Sequence, residues 1–153
     1  MLRIGLISDT HGTLRPQALA ALQGSDFIVH AGDIGDPAII ERLRGIAPVT
    51  AVRGNNDIER WAFAYPDRAV LEAGALRLYV LHNISELEFD PAAKRFDIVV
   101  SGHSHRPHSR QRGRVLFVNP GSAGPRRFRL PVSVGTLSVD DGRISVQLHE
   151  LEC

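Results

Sequence analysis

The chain has a single cysteine, Cys153, in its last position, so no intrachain disulfide can form. A terminal thiol is usually frayed and adds nothing to a metal site. Lysine is almost absent: of eighteen basic residues only Lys94 is not an arginine. That bias points to the base composition of the gene rather than to function. Neither sign of charge dominates, and a net charge of +1 argues against a strong polyanion binder and against an acidic tail protein. No run is long and apolar enough to span a membrane, and there is no repeat, heptad or low-complexity tract. Met1 leads straight into the strand-like Arg3-Ile4-Gly5-Leu6-Ile7-Ser8, without room for a signal peptide. These absences predict a cytoplasmic protein, and 153 residues suit a single domain, 1–153, with a proper core.

The first half alternates strand and helix. Arg3–Ser8, Phe27–His30 and Val49–Val52 read as short buried strands. Between them lie helices at Leu14–Gln23, with Pro16 in its first turn, and at Pro37–Arg44, capped by Asp36 and stopped by Gly45. That order predicts parallel pairing. The second half is mostly strand: Ala69–Leu71 with Leu76–Leu81, then Ile98–Ser101, Val115–Asn119, and the hairpin of Val132–Val139 with Ile144–Leu151. A short helix is predicted over Pro91–Arg95. No linker separates the halves, so they should pack as one layered α/β domain with two sheets.

Five motifs follow apolar runs in order: Asp9-Thr10-His11, Gly32-Asp33, Gly54-Asn55, a lone His82, and Gly102-His103-Ser104-His105. Ligands bind beyond the carboxyl ends of strands in α/β sheets, and residues two apart there face one way. Glycine before a ligand lets the backbone turn sharply. The side chains are two Asp, one Asn and four His. Imidazole and carboxylate without thiolate suit Mn, Fe, Zn, Co or Ni better than Ca or a structural zinc. Seven ligands are too many for one ion and fit two that share a bridging carboxylate. Asp9 and Asp33 bring two negative charges against four from two divalent ions. Such a site stays positive even with a hydroxide and favours an anionic phosphate.

This ordered set resembles the calcineurin-like metallophosphoesterases. Gly54-Asn55-Asn56-Asp57 and the short length resemble their small bacterial and archaeal phosphodiesterase branch, related to the retromer subunit Vps29. The resemblance covers nearly the whole chain. It implies an α/β fold, a four-layer α-β-β-α sandwich of two mixed sheets flanked by helices. It also implies that Asp9, His11 and His105 hold one metal, and that Asn55, His82 and His103 hold the other, with Asp33 bridging. Two divalent ions are expected, Mn foremost, with Ni, Fe, Zn, Co and Mg as the other candidates. Asn55, Asp57 and His103 are the expected catalytic residues, and Asn56 and Arg106 the expected substrate contacts. The family's Asn-Pro-Gly-Ser element is present as Asn119-Pro120-Gly121-Ser122.

Two departures stand out. Many relatives have His where this chain has Asn56, and Asn cannot donate a proton as an acid. Asp57 is expected to orient a ligand such as His11. Asn83 replaces a usual glycine after His82. The expected activity is hydrolysis of a small phosphodiester by a hydroxide activated between two metals, with a preference for acidic leaving groups. The competing readings are a non-catalytic Vps29-like scaffold and a nuclease tracking nucleic-acid backbone. A homo-oligomer is compatible with either. His30 and His149 read as structural, and His108 as a loop residue. Arg106, Arg110, Arg112 and Arg114 read as a solvated strand face before an anion patch.

Overall fold

Short apolar runs joined by helices favour parallel pairing, and the computed structural model, which describes residues 1–153, shows this for the first three strands. Strand β1 (Leu2–Ile7) pairs in parallel with β2 (Phe27–His30), and β2 with β3 (Val49–Ala51). Helices α1 (Pro16–Leu22) and α2 (Pro37–Arg44) make the crossovers. Helix α2 starts as the sequence predicts, with the Asp36 carboxylate accepting the Ala38 N–H at 2.9 Å. Helix α1 is shorter than the predicted Leu14–Gln23. Arg15 stays extended at ψ 144° because the following proline disfavours helical backbone, and Gln23 leaves the helix at ψ 142°.

The second sheet runs β4 (Arg68–Ala73), β5 (Leu76–Leu81), β6 (Ile98–Val100), β8 (Val115–Asn119) and β7 (His108–Arg112) from edge to edge. The hairpin of β9 (Ser133–Asp140) and β10 (Arg143–Glu150) returns to the first sheet beside β1. Its turn places Asp141 and Gly142 at φ 51° and 78°, the paired positive values of a tight hairpin.

Alternation sorts the first sheet's side chains. Ile4, Leu6 and Val29 face the second sheet's Leu78, Val80, Ile98 and Val100, all fully buried. Ile7 and Ile28 face the opposite way, against Leu22, Ile40 and Leu43 of the helices. Each such side chain contributes about 1.5–3 kcal/mol on leaving water. The far face of the second sheet, including Leu81, Val99 and Val115, is covered by Leu87, Ala92 and neighbours rather than by an α-helix. The predicted Pro91–Arg95 helix is a single turn. Phe96 N–H bonds to the Pro91 carbonyl at 2.9 Å and Arg95 N–H to the Ala92 carbonyl at 3.0 Å, with Arg95 at φ 62°. That pairing is a helix terminator, closing the turn before a second can form.

Candidate metal centre

The five motif segments leave the carboxyl ends of β1, β2, β3, β5 and β6 on one rim and are laced together by backbone bonds. Asp9 N–H donates to Gly32 O, His11 N–H to Asp33 O, and Gly102 N–H to His82 O, each at 2.9 Å. Eight non-glycine residues have positive φ, and five of them are Asp9, His11, Asp33, His103 and His105. Left-handed backbone is costly for side-chain-bearing residues, and its concentration on these five marks a built site. Glycine serves here by allowing close approach more than by turning. A Cβ on Gly54 would overlap the Asp33 carboxylate, and one on Gly102 would overlap Ser8 Oγ and the Asp9 carboxylate.

The side chains converge in two overlapping groups, Asp9 with His11 and His105, and Asp9 with Asp33 and His82. Asp9 Oδ2 accepts from Ser8 Oγ at 2.7 Å and from His103 N–H at 3.1 Å. Its other oxygen, Oδ1, is buried with no hydrogen-bond partner. Around that atom stand Nε2 of His105 at 3.3 Å, of His11 at 3.8 Å and of His82 at 3.9 Å. Asp33 Oδ2 lies between the groups, 3.3 Å from His82 Nε2 and 3.7 Å from His11 Nε2. His82 Nδ1 is 2.7 Å from the Ala31 carbonyl, which fixes the proton on that nitrogen. Nε2 is left buried and without a hydrogen-bond partner, its lone pair aimed at two carboxylates. In neutral His82 that arrangement repels, and a cation resolves it. His103 Nδ1 lies 3.1 Å from Asn55 Oδ1, and its ring stands edge-on to His82 at 5.2 Å. All seven predicted ligands therefore meet at this rim.

The electrostatics follow. Burial would raise the Asp33 carboxyl, but His82, the Asn56 N–H and His11 outweigh it and pull its pKa down to about 2. Burial likewise opposes ionisation of Asp9, yet His105, Ser8 and His82 bring its pKa below the usual carboxylate value. For His82, burial is overcome by Asp33 and Asp9, which raise its pKa. His11 goes the other way, lowered chiefly by burial. His30 is no ligand: its Nδ1 accepts the Gly32 N–H at 3.1 Å, so Nε2 donates to Thr10 Oγ1 at 3.0 Å, and Thr10 donates to Ile34 O. A second proton on this fully buried ring would meet a donor, and its pKa falls to about 4, burial being the main cause.

One expectation needs correction. Asp57 does not orient His11. Its Oδ2 accepts from Ile34 N–H and Gly54 N–H at 2.9 Å each, and Oδ1 from Gly35 N–H at 3.0 Å. It clasps the two loops that carry Asp33 and Asn55. Asn56 stands exposed beside the rim, where its N–H and Nδ2 bond to Asp33 Oδ1 and Oδ2 at 2.9 and 3.1 Å. Arg106 is exposed and lines a separate hollow behind the ligand loop. Asn83 has φ −114° and caps a short turn by accepting from Ser85, so no glycine is required there.

Sequence reasoning found the Asn-Pro-Gly-Ser element but not its contacts, and it missed Ser8 and Thr10. Asn119 Nδ2 donates to Gly102 O at 2.9 Å and to Ser104 Oγ at 3.1 Å, and Ser122 Oγ donates to Asp9 O at 3.0 Å. The Asn-Pro-Gly-Ser element thus braces both ligand loops; only the motif itself signalled it. Ser8 and Thr10 carry no spacing signal, and only their adjacency to Asp9 could have suggested them.

Residues 2–142 match the calcineurin-like phosphoesterase superfamily domain. A probable metallophosphoesterase of Methanocaldococcus jannaschii is 34% identical, covering 97% of this chain and 81% of the relative. Phosphodiesterase YfcE of Escherichia coli is 32% identical over 92% of this chain and 89% of its own length. Among solved structures, Vps29 of Chaetomium thermophilum superposes with a TM-score of 0.78 at 21% identity, covering 97% of this chain and 95% of that one, which shows a shared fold.

Proposed function

The chain belongs to the calcineurin-like phosphoesterase superfamily and is a metal-dependent phosphoesterase, and from this we propose that it cleaves small phosphodiesters at a dinuclear centre. The observation that carries the reading is the pair of buried, partnerless ligand atoms, Asp9 Oδ1 and His82 Nε2, facing one another among three further donors. An unpaired buried polar atom costs about 1–3 kcal/mol, and two such atoms aimed together fit a cation. Asp9, His11 and His105 would hold one ion and Asn55, His82 and His103 the other, with Asp33 between them. Mn is our first choice, with Ni, Fe, Zn, Co or Mg as alternatives. Bound divalent ions would neutralise phosphate charge and make water a stronger nucleophile.

The protein's own groups set geometry. Ser8 and the His103 N–H hold Asp9 so that one oxygen faces inward. The Ala31 carbonyl turns His82 Nε2 toward the same point. Asn56 grips both oxygens of Asp33 and has no acidic proton to give a leaving group. Acidic leaving groups, such as aryl esters, should therefore be preferred. The name of the Escherichia coli relative supports diesters as the substrate class. The test is elemental analysis together with a panel of p-nitrophenyl diesters and monoesters under Mn, Mg, Ni and Zn. We expect about two ions per chain and faster turnover of diesters. Absence of bound metal with no turnover, or a marked preference for monoesters, overturns the reading.

A further inference from the structure

Behind the ligand loop, on the outer face of the second sheet, lies a hollow of 1150 Å³. Small-molecule sites commonly measure about 300–1,000 Å³, so a ligand of nucleotide size fits. One wall is strand β7, where Arg110 and Arg112 stand opposite Phe117 and Val115 of β8 and share their face of the sheet. Arg106 and Arg114 extend this wall. None of the four arginines has a carboxylate within 4.0 Å or a side-chain hydrogen bond. The only acid in the lining is Asp90, so the hollow is strongly positive in a chain whose net charge is +1.

The floor is aromatic. Phe117 is half-buried with the Arg112 guanidinium 5.7 Å from its ring centre. Across the hollow Phe89 is held edge-on by Tyr79 at 4.9 Å. Charged residues on an edge strand guard against unwanted pairing, but that task does not require a hollow over aromatic rings. Guanidinium forks match phosphate oxygens in pairs, and ring faces stack on a base.

We propose that this hollow binds a nucleotide-like anion, with its ring against Phe117 and Phe89 and its phosphate on the β7 arginines. It is a site distinct from the metal rim. The two sites share one wall. Ser104, between His103 and His105, lines the hollow and bonds to Asn119 Nδ2 at 3.1 Å and to the Arg106 N–H at 3.2 Å.

Isothermal titration calorimetry of the full chain tests this, with AMP, adenosine and pyrophosphate as probes, both Mn-loaded and after EDTA treatment. AMP is expected to bind the EDTA-treated protein, and adenosine at least about tenfold more weakly. Arg110→Gln with Arg112→Gln should weaken AMP and pyrophosphate about tenfold or more. Phe117→Leu should weaken AMP about tenfold while moving pyrophosphate less than about twofold, a split that general misfolding would not give. AMP binding only with metal, or insensitive to the arginine changes, overturns the proposal. So does an oligonucleotide that binds far more tightly than AMP with steep salt dependence. Turnover of phosphodiesters is read separately, so failure here and failure of the metal-centre reading are distinguishable.

Discussion

Replacing Asp57 should reveal how much of the metal rim depends on one buried carboxylate. Its two oxygens take three backbone N–H groups, from Ile34, Gly35 and Gly54, at 2.9 to 3.0 Å. In Asp57→Asn the amide oxygen can still serve Ile34 and Gly54, but the NH2 group is pushed against the Gly35 N–H. One bond is lost and two donors face each other, costing about 2–4 kcal/mol. In Asp57→Ala all three donors lose their partner. Ile34 is fully buried and cannot turn to water, whereas Gly35 and Gly54 can partly do so, giving about 3–5 kcal/mol. For a chain of this size each kcal/mol lowers Tm by about 2–4 °C, so Asp57→Asn should melt roughly 5–15 °C below the parent. Asp33 directly precedes Ile34 and Asn55 directly follows Gly54, so both ligands slacken and metal affinity should drop about 10–100-fold. Calorimetric melting and metal titration check both. A variant melting within about 2 °C of the parent with unchanged metal affinity would refute the clasp.

Removing metal with EDTA should lower Tm by roughly 10–20 °C if two ions were each present at about a hundredfold excess over Kd, where each contributes about 2.7 kcal/mol; an unchanged melt counts against a metal centre. Asn56→His should speed hydrolysis of diesters with poor leaving groups while affecting p-nitrophenyl esters little, as a leaving-group series of kcat would show; a flat parental series under rate-limiting chemistry contradicts the proton-donor argument. The His30 ring titrates near 4 in the folded chain against 6.5 when exposed, so the unfolded state takes up the proton first. Its contribution is complete above about pH 7, falls by about 1.4 kcal/mol at pH 5.5, and is reduced by about 3 kcal/mol at or below pH 4. Urea melts of metal-free protein should show this slope, and His30→Gln should flatten it; an equal slope in the variant assigns the effect elsewhere.

What the sequence made legible was whatever depends on short-range order. Short apolar runs placed the strands, Asp36-Pro37 and Gly45 bounded α2, and the strand ends delivered all seven ligand residues to one rim. Spacing said nothing about where a side chain's second bond goes, and the one misplaced role arose there. Asp57 looked like a partner for His11 because it takes the acidic position beside a ligand motif. Yet the loop after β2, more than twenty residues away in sequence, supplies two of its three donors. Spacing likewise gave no sign that Asn56 bonds through its N–H and its amide to both oxygens of Asp33. The arginines of β7 read as a solvated strand face, and every residue of that strand is exposed. Only the register of β7 on β8, setting Arg110 against Phe117, turns that face into one wall of a hollow. Long-range contacts decide each of these cases, and they follow the same rule. The ligand types were fixed locally by chemistry, whereas the residues that hold them in tension were recruited from loops that only the fold brings together.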